Sequence, residues 1–158
     1  MTALNDNIQG CCNPRKNDLG NNNVTNKEIT KQLPVVIIGA GPVGLAAAAH
    51  LASRRQSFIL LEAGMEVGSN IKSWGHIRLF SPWRYNIDKA AMNLLNDSGW
   101  VQPELENLPT GQELVEQYLR PLSNVPEIQP FVYLNTKVLS IGRKDVDKMK
   151  TANRENVR

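Results

Sequence analysis

Residues 34–62 read PVVIIGAGPVGLAAAAHLASRRQSFILLE, and their pattern indicates the fold class of this chain. It opens with four apolar β-formers, Val35 to Ile38, a run too short for a helix and suited to a buried strand. A turn with the glycine spacing G-x-G-x-x-G follows, and then the alanine-rich run 45–52 with high helix propensity. A second apolar run, 57–61, ends at the acid Glu62. The order of strand, glycine turn, helix, strand and acid predicts one β-α-β unit of a parallel sheet.

Each glycine of the turn has its own physical role if this unit binds a dinucleotide. Gly39 allows a sharp bend from strand to helix at dihedral angles that are costly for other residues. Gly41 has no side chain, so a pyrophosphate can approach the backbone, and Gly44 lets the helix pack closely on the first strand. The helix then begins with unpaired N–H groups and a partial positive charge that face the phosphates. At the end of the second strand, the Glu62 carboxylate can accept hydrogen bonds from ribose hydroxyls.

The acid also limits which dinucleotide can bind. Because a carboxylate repels a 2′-phosphate, Glu62 disfavours NADP at this site, and no Lys or Arg follows it before Lys72. FAD and NAD both present a free adenosine ribose, so the glycine turn alone leaves the choice between them open. A β-α-β crossover that binds nothing is the remaining alternative.

The run VVIIGAGPVGLAAAAHLASRRQSFILLEAGMEVGSNIKSW, residues 35–74, resembles the FAD-binding start of flavoproteins with two dinucleotide-binding domains. These include the flavin-containing monooxygenases and the thioredoxin-reductase-like enzymes. The Gly-Ala-Gly-Pro turn, the three successive alanines of the helix and the Glu-Ala-Gly after the second strand carry the resemblance, which extends over residues 33–144. It implies FAD as the cofactor and an α/β fold, a Rossmann-like FAD/NAD(P)-binding domain with a central parallel sheet.

The resemblance also implies which residues contact FAD. Gly68 stands where the family often carries a Gly-Gly pair beside the pyrophosphate, and here the pair reads Gly68-Ser69, a departure from that pattern. Val138 corresponds to a valine of a later strand whose backbone meets the adenine. The cofactor-binding residues that we expect are Gly39, Ala40, Gly41, Pro42, Val43, Gly44, Glu62, Ala63, Gly68 and Val138, and we add Arg78, discussed below.

The segment 63–88 has little periodicity, yet it is rich in aromatic residues, so we expect an ordered segment that covers the site. One interpretation is that Trp74, Phe80 and Trp83 pack under this segment, because aromatic side chains bury large areas. The other places the run 80–83 near the flavin, where it would shape access to the reactive edge.

Three further side chains are candidates for a functional role: Arg78, His50 and His76. Arg78 can bind a phosphate in bidentate fashion or lie at the surface, and the sequence leaves both open. His50 and His76 have no carboxylate, Ser or Cys partner at a readable spacing, so we do not predict a catalytic base.

Two helices and two strands are predicted in the second half of the chain. The first helix covers 88–96 with Asp88 as its N-cap and Ser98-Gly99 as its stop. The second covers 111–120 and begins with a capping box of Thr110 and Glu113. A Pro-containing loop joins the helices, and two short strands, 131–134 and 137–142, follow with a turn at Asn135-Thr136.

Composition excludes several classes of function. The net charge of +3 is spread along the chain, so we predict no nucleic-acid partner. The two cysteines, Cys11 and Cys12, are adjacent, and neither a disulfide framework nor a metal-ligating cluster is predicted. No apolar run reaches the roughly 18 residues of a membrane span, and we expect a cytoplasmic protein without a membrane partner.

We therefore expect three regions: a disordered polar leader at 1–32, a partial FAD-binding domain at 33–144 and a charged stretch at 145–158. Because only one glycine fingerprint occurs in 158 residues, the domain is expected to be an incomplete N-terminal portion of a longer flavoprotein, inactive by itself. The expected function is FAD binding within an NAD(P)H-linked, flavin-dependent oxidoreductase, including a monooxygenase-like one, with NAD(P)H bound by a segment outside this chain.

Two alternatives remain open. The first is a dinucleotide-binding module without turnover, or a truncated relic. The second is an NAD-dependent dehydrogenase, which is weakened because no catalytic His, Lys or Tyr-x-x-x-Lys arrangement occurs. Neither the substrate nor the oligomeric state follows from the sequence.

Overall fold

A computed structural model describes residues 33–142, and its framework is a three-stranded parallel sheet. The strands are β1 (Val35–Ile38), β2 (Phe58–Leu61) and β3 (Val132–Tyr133), in the order β1-β2-β3. Helix α1 (Pro42–Ser53) connects β1 to β2, so the predicted β-α-β unit is confirmed. The predicted leader at 1–32 and charged stretch at 145–158 lie outside the described residues.

The two faces of the sheet differ in burial. In the parallel register Ile37 pairs with Leu60, and both side chains belong to the core together with Phe58. On the opposite face Val36 and Ile38 are each 51% exposed. The expectation of a buried first strand is therefore wrong for that face. Parallel strands are buried on both sides only where helices cover both faces, and among the described residues this outer face has no such cover.

The first predicted helix of the second half is confirmed. Helix α4 (Lys89–Asp97) has Asp88 as its N-cap, whose carboxylate accepts hydrogen bonds from the Ala90 and Ala91 amides at 2.8 and 3.1 Å. It ends at Ser98, and Gly99 follows with φ +78°, in the left-handed region that favours glycine.

The second predicted helix is part of a longer helical run, 111–123. It comprises α5 (Gly111–Leu114), a π-helical turn (Val115–Leu119) and α6 (Arg120–Ser123). The predicted capping box is present, because Thr110 Oγ1 accepts from the Glu113 amide at 3.1 Å while Glu113 accepts from the Thr110 amide at 2.7 Å. Leu114, Tyr118 and Leu119 of this run are buried.

The run continues past residue 120, where the prediction ended it, although Pro121 cannot donate a backbone hydrogen bond. In a regular helix the amide of residue 121 would bond the carbonyl of Gln117. That carbonyl accepts instead from the indole Nε1 of Trp100 at 2.6 Å. The loop residue Trp100 therefore supplies the hydrogen bond that the proline removes.

The segment 63–88 is ordered, as expected, and contains two short helices, α2 (Ser69–Lys72) and α3 (Trp83–Asn86). A single antiparallel bridge between Arg78 and Thr110 ties it to the start of the second helical run. The Leu79 amide also donates to the Pro109 carbonyl at 2.8 Å. Backbone hydrogen bonds thus hold this segment in place where its sequence shows no periodicity.

The strand predicted at 131–134 is confirmed in shortened form, and the strand predicted at 137–142 is wrong. Gln129–Phe131 forms a 3₁₀ turn, and β3 comprises only Val132–Tyr133, which pairs in parallel with β2. The turn at Asn135-Thr136 is confirmed, with Asn135 at φ +54°, but it directs the Thr136 amide to the Glu62 carbonyl at 2.7 Å. Residues 137–142 have no strand assignment, because a β-prone segment forms a strand only where a partner is available.

Within the described range, 33–142, no helix has the length and apolar character needed to cross a membrane. The same residues contain no group of His, Cys, Asp and Glu side chains placed to hold a metal ion.

Candidate functional site

The glycine turn has the geometry that its sequence predicts. Gly39 has φ +93°, a conformation that L side chains rarely adopt. A Cβ on Gly44 would lie 1.9 Å from the Gly39 carbonyl oxygen, so only glycine permits this approach of helix to turn. At Gly41 no atom lies within 4 Å of where a Cβ would be, which leaves open space beside the backbone. Glycine is therefore needed at residue 39 for the bend and at residue 44 for close packing of the helix on the turn. At residue 41 it leaves space for a ligand to approach the backbone.

The start of α1 offers amide groups to an anion. Gly41 is the N-cap and no side chain caps the helix, Pro42 occupies the first turn, and that turn contains no acidic residue. The first amides of a helix lack intrahelical partners and carry a partial positive charge. A phosphate group fits this end of the helix without displacing a side-chain cap.

Glu62 faces the mouth of the turn. Its Oε2 accepts from the Ala40 amide at 2.7 Å, and its Oε1 accepts from the Gly64 amide at 2.7 Å. An ionised carboxylate has about four lone-pair sites, so each oxygen can accept a further hydrogen bond. The carboxylate therefore joins the turn to the segment after β2 and still has acceptor capacity for a ribose hydroxyl.

Gly68 lies directly beside the turn. Its amide donates to the Ala40 carbonyl at 3.0 Å, and its φ is +67°. A Cβ at this position would lie 2.8 Å from Cγ2 of Val115 in the second helical run. The structure thus brings Gly68 together with Ala40, and the departure to Ser at residue 69 leaves this contact in place.

Gly64 belongs to the site although no role was predicted for it. Besides its bond to Glu62, its Cα is so close to Ser69 that a Cβ would lie 2.1 Å from Oγ. The sequence signal was present in the Glu-Ala-Gly triplet, but the need for glycine at its third position arises from packing against α2.

A hollow of about 490 Å³ adjoins Glu62 on the side of Ala63, which is exposed there together with Met65. Glu66 lies at its margin, paired with Lys72 at 2.5 Å and with Arg120 at 3.2 Å. The hydrogen bond from Lys72 is the largest influence that holds the pKa of Glu66 below its usual value. These pairs tie α2 to the helical run behind the turn.

Two predicted site residues, Arg78 and Val138, are placed by contacts with residues outside the glycine turn. Arg78 Nη1 donates to the Leu108 carbonyl at 2.5 Å, and the hollow of about 450 Å³ that it lines contains no residue of the glycine turn. Val138 is half-buried and follows Thr136, whose amide bonds the Glu62 carbonyl. A phosphate role for Arg78 and an adenine role for Val138 both stay predictions.

The aromatic residues of the segment 63–88 were predicted either to pack beneath it or to lie near the flavin, and the structure differs from residue to residue. Trp83 is buried, which confirms packing for this residue. Trp74 is partly exposed, and its ring covers Gly111, where a Cβ would lie 2.8 Å from Cζ3. Phe80 is fully exposed, so the packing interpretation is wrong for Phe80, because no other side chain of the described region covers it.

His50 has a carboxylate partner that the sequence spacing did not reveal. Its Nε2 lies 3.2 Å from Oδ2 of Asp88, because α1 packs beside the start of α4. Burial opposes ionisation of Asp88, but hydrogen bonds from Ala91, His50 and Ala90 outweigh it and hold the pKa of this carboxyl below its usual value. Because the same carboxylate is the N-cap of α4, this pair is a structural contact between helices.

Comparisons with known proteins agree with this geometry. The family model described as FAD dependent oxidoreductase matches residues 34–156. No curated protein sequence matches significantly. Among solved structures, OTEMO in complex with FAD and NADP is 21% identical with a TM-score of 0.51, covering 66% of this chain and 19% of that one.

An FAD-bound form of OTEMO is 23% identical with a TM-score of 0.51, over 67% of this chain and 19% of that one. Oxidized steroid monooxygenase bound to NADP is 22% identical with a TM-score of 0.48, over 64% and 19% of the two chains. The chain therefore spans 19% of the length of these structures. At this identity the likeness to OTEMO confirms the predicted Rossmann-like α/β fold.

Proposed function

This chain belongs to the FAD-dependent oxidoreductase family, and from that premise we propose that it binds the pyrophosphate of FAD at the turn Gly39–Gly44 and the adenosine ribose at Glu62. Membership confirms the predicted flavoprotein resemblance, with FAD as the cofactor of the family and oxidoreductase as its class. The placement of individual groups of FAD on this chain is our proposal.

One observation carries the proposal: the turn leaves open space at Gly41 while Glu62 is fixed at its mouth by the Ala40 amide. A diphosphate can approach the exposed amides of α1, and a ribose can donate to the remaining lone pairs of the carboxylate. Gly68 supports the turn through Ala40, and Ala63 borders the hollow on the ribose side.

A bound flavin would supply the redox chemistry, as cofactors do in general. The residues of this chain would bind and orient it. We propose NAD(P)H as the electron donor, supported by the OTEMO crystals that hold FAD and NADP together. NAD(P)H would bind a segment outside this chain, because the sequence contains one glycine fingerprint. A monooxygenase-like reaction is the form that the sequence resemblance favours, and a cytoplasmic location stays a prediction.

A dinucleotide-binding module without turnover is the second candidate. The observation that favours it is that the histidine–carboxylate pair found among residues 33–142, His50 with Asp88, is a structural contact between helices. Both candidates require FAD at the turn, so they differ in redox activity alone.

Binding of FAD is tested by titrating the purified chain with FAD and recording the visible absorbance near about 450 nm that oxidised flavins share. In Gly41→Val the side chain would fill the open space beside the pyrophosphate, and we expect FAD affinity to fall about 100-fold or more. Gly142→Val is the matched control, because Gly142 also has no atom within 4 Å of an added Cβ and is not among the residues that we expect to contact FAD. Equal affinity of Gly41→Val and the wild type would contradict the placement of the pyrophosphate.

The two candidates are separated by anaerobic addition of NADH or NADPH to FAD-loaded protein that contains the nicotinamide-binding segment as well as this chain. Loss of the flavin absorbance band would show electron transfer and support the oxidoreductase. A band that persists with both nucleotides would favour the binding module.

A further inference from the structure

A groove of about 380 Å³ adjoins the glycine turn at the first two turns of α1 and shares no residue with the hollow beside Ala63. Its walls come from Pro42, Val43 and Ala46 of α1 and from the segment 85–88. Val43 is 83% exposed and Tyr85 is 70% exposed, so its entrance is apolar and aromatic. Ligand sites in proteins commonly have volumes of about 300–1,000 Å³.

Tyr118 is one of the polar residues that line this groove, together with Asn86 and Asp88. Tyr118 is 1% exposed, and its hydroxyl oxygen accepts a hydrogen bond from the Asp88 amide at 3.0 Å. A phenol hydroxyl is also a donor. Within residues 33–142 no oxygen or nitrogen accepts the hydroxyl hydrogen of Tyr118, so the donor half of this buried group has no protein partner there. Burial also raises the pKa of Tyr118, so the hydroxyl keeps its proton at neutral pH.

The local backbone places this hydroxyl. Tyr118 lies in the π-helical turn Val115–Leu119, which interrupts the α-helical register of the run 111–123. Such single π-helical turns occur frequently at functional sites. Leu114, on the preceding turn, lines the same groove, and the Tyr118 ring packs against Trp100 with centroids 6.4 Å apart. The ring is thus fixed by packing while its hydroxyl end meets the groove at Asp88.

We propose that this groove receives the flavin half of FAD and that Tyr118 donates its hydroxyl hydrogen to an acceptor atom of that half. The inference rests on the proposed function, because it assumes the pyrophosphate at Gly39–Gly44. If the adenosine lies toward Glu62 and Ala63, the other half of the dinucleotide leaves the turn at its other hollow, beside Pro42 and Val43. The hydroxyl of Tyr118, which accepts from the Asp88 amide, keeps its own hydrogen for such an acceptor.

The test compares FAD with ADP, which carries the adenosine and both phosphates but no flavin, on the full chain by isothermal titration calorimetry. Tyr118→Phe keeps the ring and removes the donor. We expect the FAD dissociation constant to rise about 3- to 10-fold and the ADP dissociation constant to change less than about twofold. The melting temperature of the ligand-free variant measures separately what is lost at Asp88.

A second variant covers the case in which Tyr118→Phe fails to fold. Ala46→Phe narrows the groove from α1 and leaves the Tyr118 hydroxyl in place, and it should also weaken FAD but not ADP. Equal weakening of both ligands, or unchanged FAD affinity in a folded variant, would overturn the inference alone. A wild-type chain that binds neither ligand would overturn the proposed function, and the inference with it.

Discussion

For single residues, the glycine turn shows which roles can be predicted from the sequence alone. Gly39, Gly41 and Gly44 could be predicted because their need for glycine is local to one bend, and Glu62 because it ends the adjoining strand. Gly64 and Tyr118 could not, since their roles depend on Ser69 packing and on an amide 30 residues away. Residue identity alone does not reveal partners that only the fold brings together.

Gly68 provides a prediction at this scale. In Gly68→Ala the new side chain would meet both the strain of φ +67° and a contact 2.8 Å from Val115. We expect the variant to lose about 2–3 kcal/mol of unfolding free energy, measured by urea denaturation. Gly99→Ala separates the two costs, because Gly99 has φ +78° but open space around it, and should lose about 1 kcal/mol. Equal losses in the two variants would mean that Val115 does not constrain Gly68.

At the scale of elements, helices were predicted better than strands. The caps at Asp88 and Thr110 are encoded in adjacent residues, and both helices begin where the sequence places them. A strand needs a partner, and the sequence does not say which segment supplies it. Residues 137–142 have strand-forming side chains, yet Leu139 and Ile141 remain exposed and unassigned to any strand.

The hydrogen bond from Trp100 to the Gln117 carbonyl is tested by Trp100→Phe. The substitution removes the indole donor that replaces the missing amide of Pro121 and part of the packing on Tyr118. We expect a loss of about 1–2 kcal/mol in unfolding free energy, measured by thermal and urea denaturation. Trp74→Phe is the control, since its indole nitrogen donates to no acceptor within the described residues. A cost in Trp100→Phe no larger than in the control would show that the helical run does not need this donor.

At the scale of the whole molecule, the described part of the chain is a sheet packed on one face. The core is formed by α1, by the buried side chains of β1 and β2, and by buried residues of α4 and of the helical run 111–123. Val36, Ile38 and Tyr133 lie on the outer face and are about half exposed. Strand β1 also has no neighbour on its outer edge among residues 33–142. An apolar face beside an unpaired edge favours association with another strand or surface.

We therefore expect concentration-dependent self-association of the purified chain, measured by sedimentation velocity. Val36→Lys places a charge on the outer face and should reduce association without lowering the melting temperature by more than a few degrees, because residue 36 lies outside the core. A monomeric wild-type chain at high concentration would contradict this expectation and would mean that the face is already covered.

The double anchorage of Glu62 has a consequence for the energetics of recognition. Its carboxylate already links the Ala40 and Gly64 amides before any cofactor arrives, so the entropy of immobilising that side chain is lost during folding. Association then needs no slow rearrangement at this end of the site, and the affinity for the adenosine half should be insensitive to loop dynamics. The adenosine end of the site would therefore be preorganised before the cofactor binds.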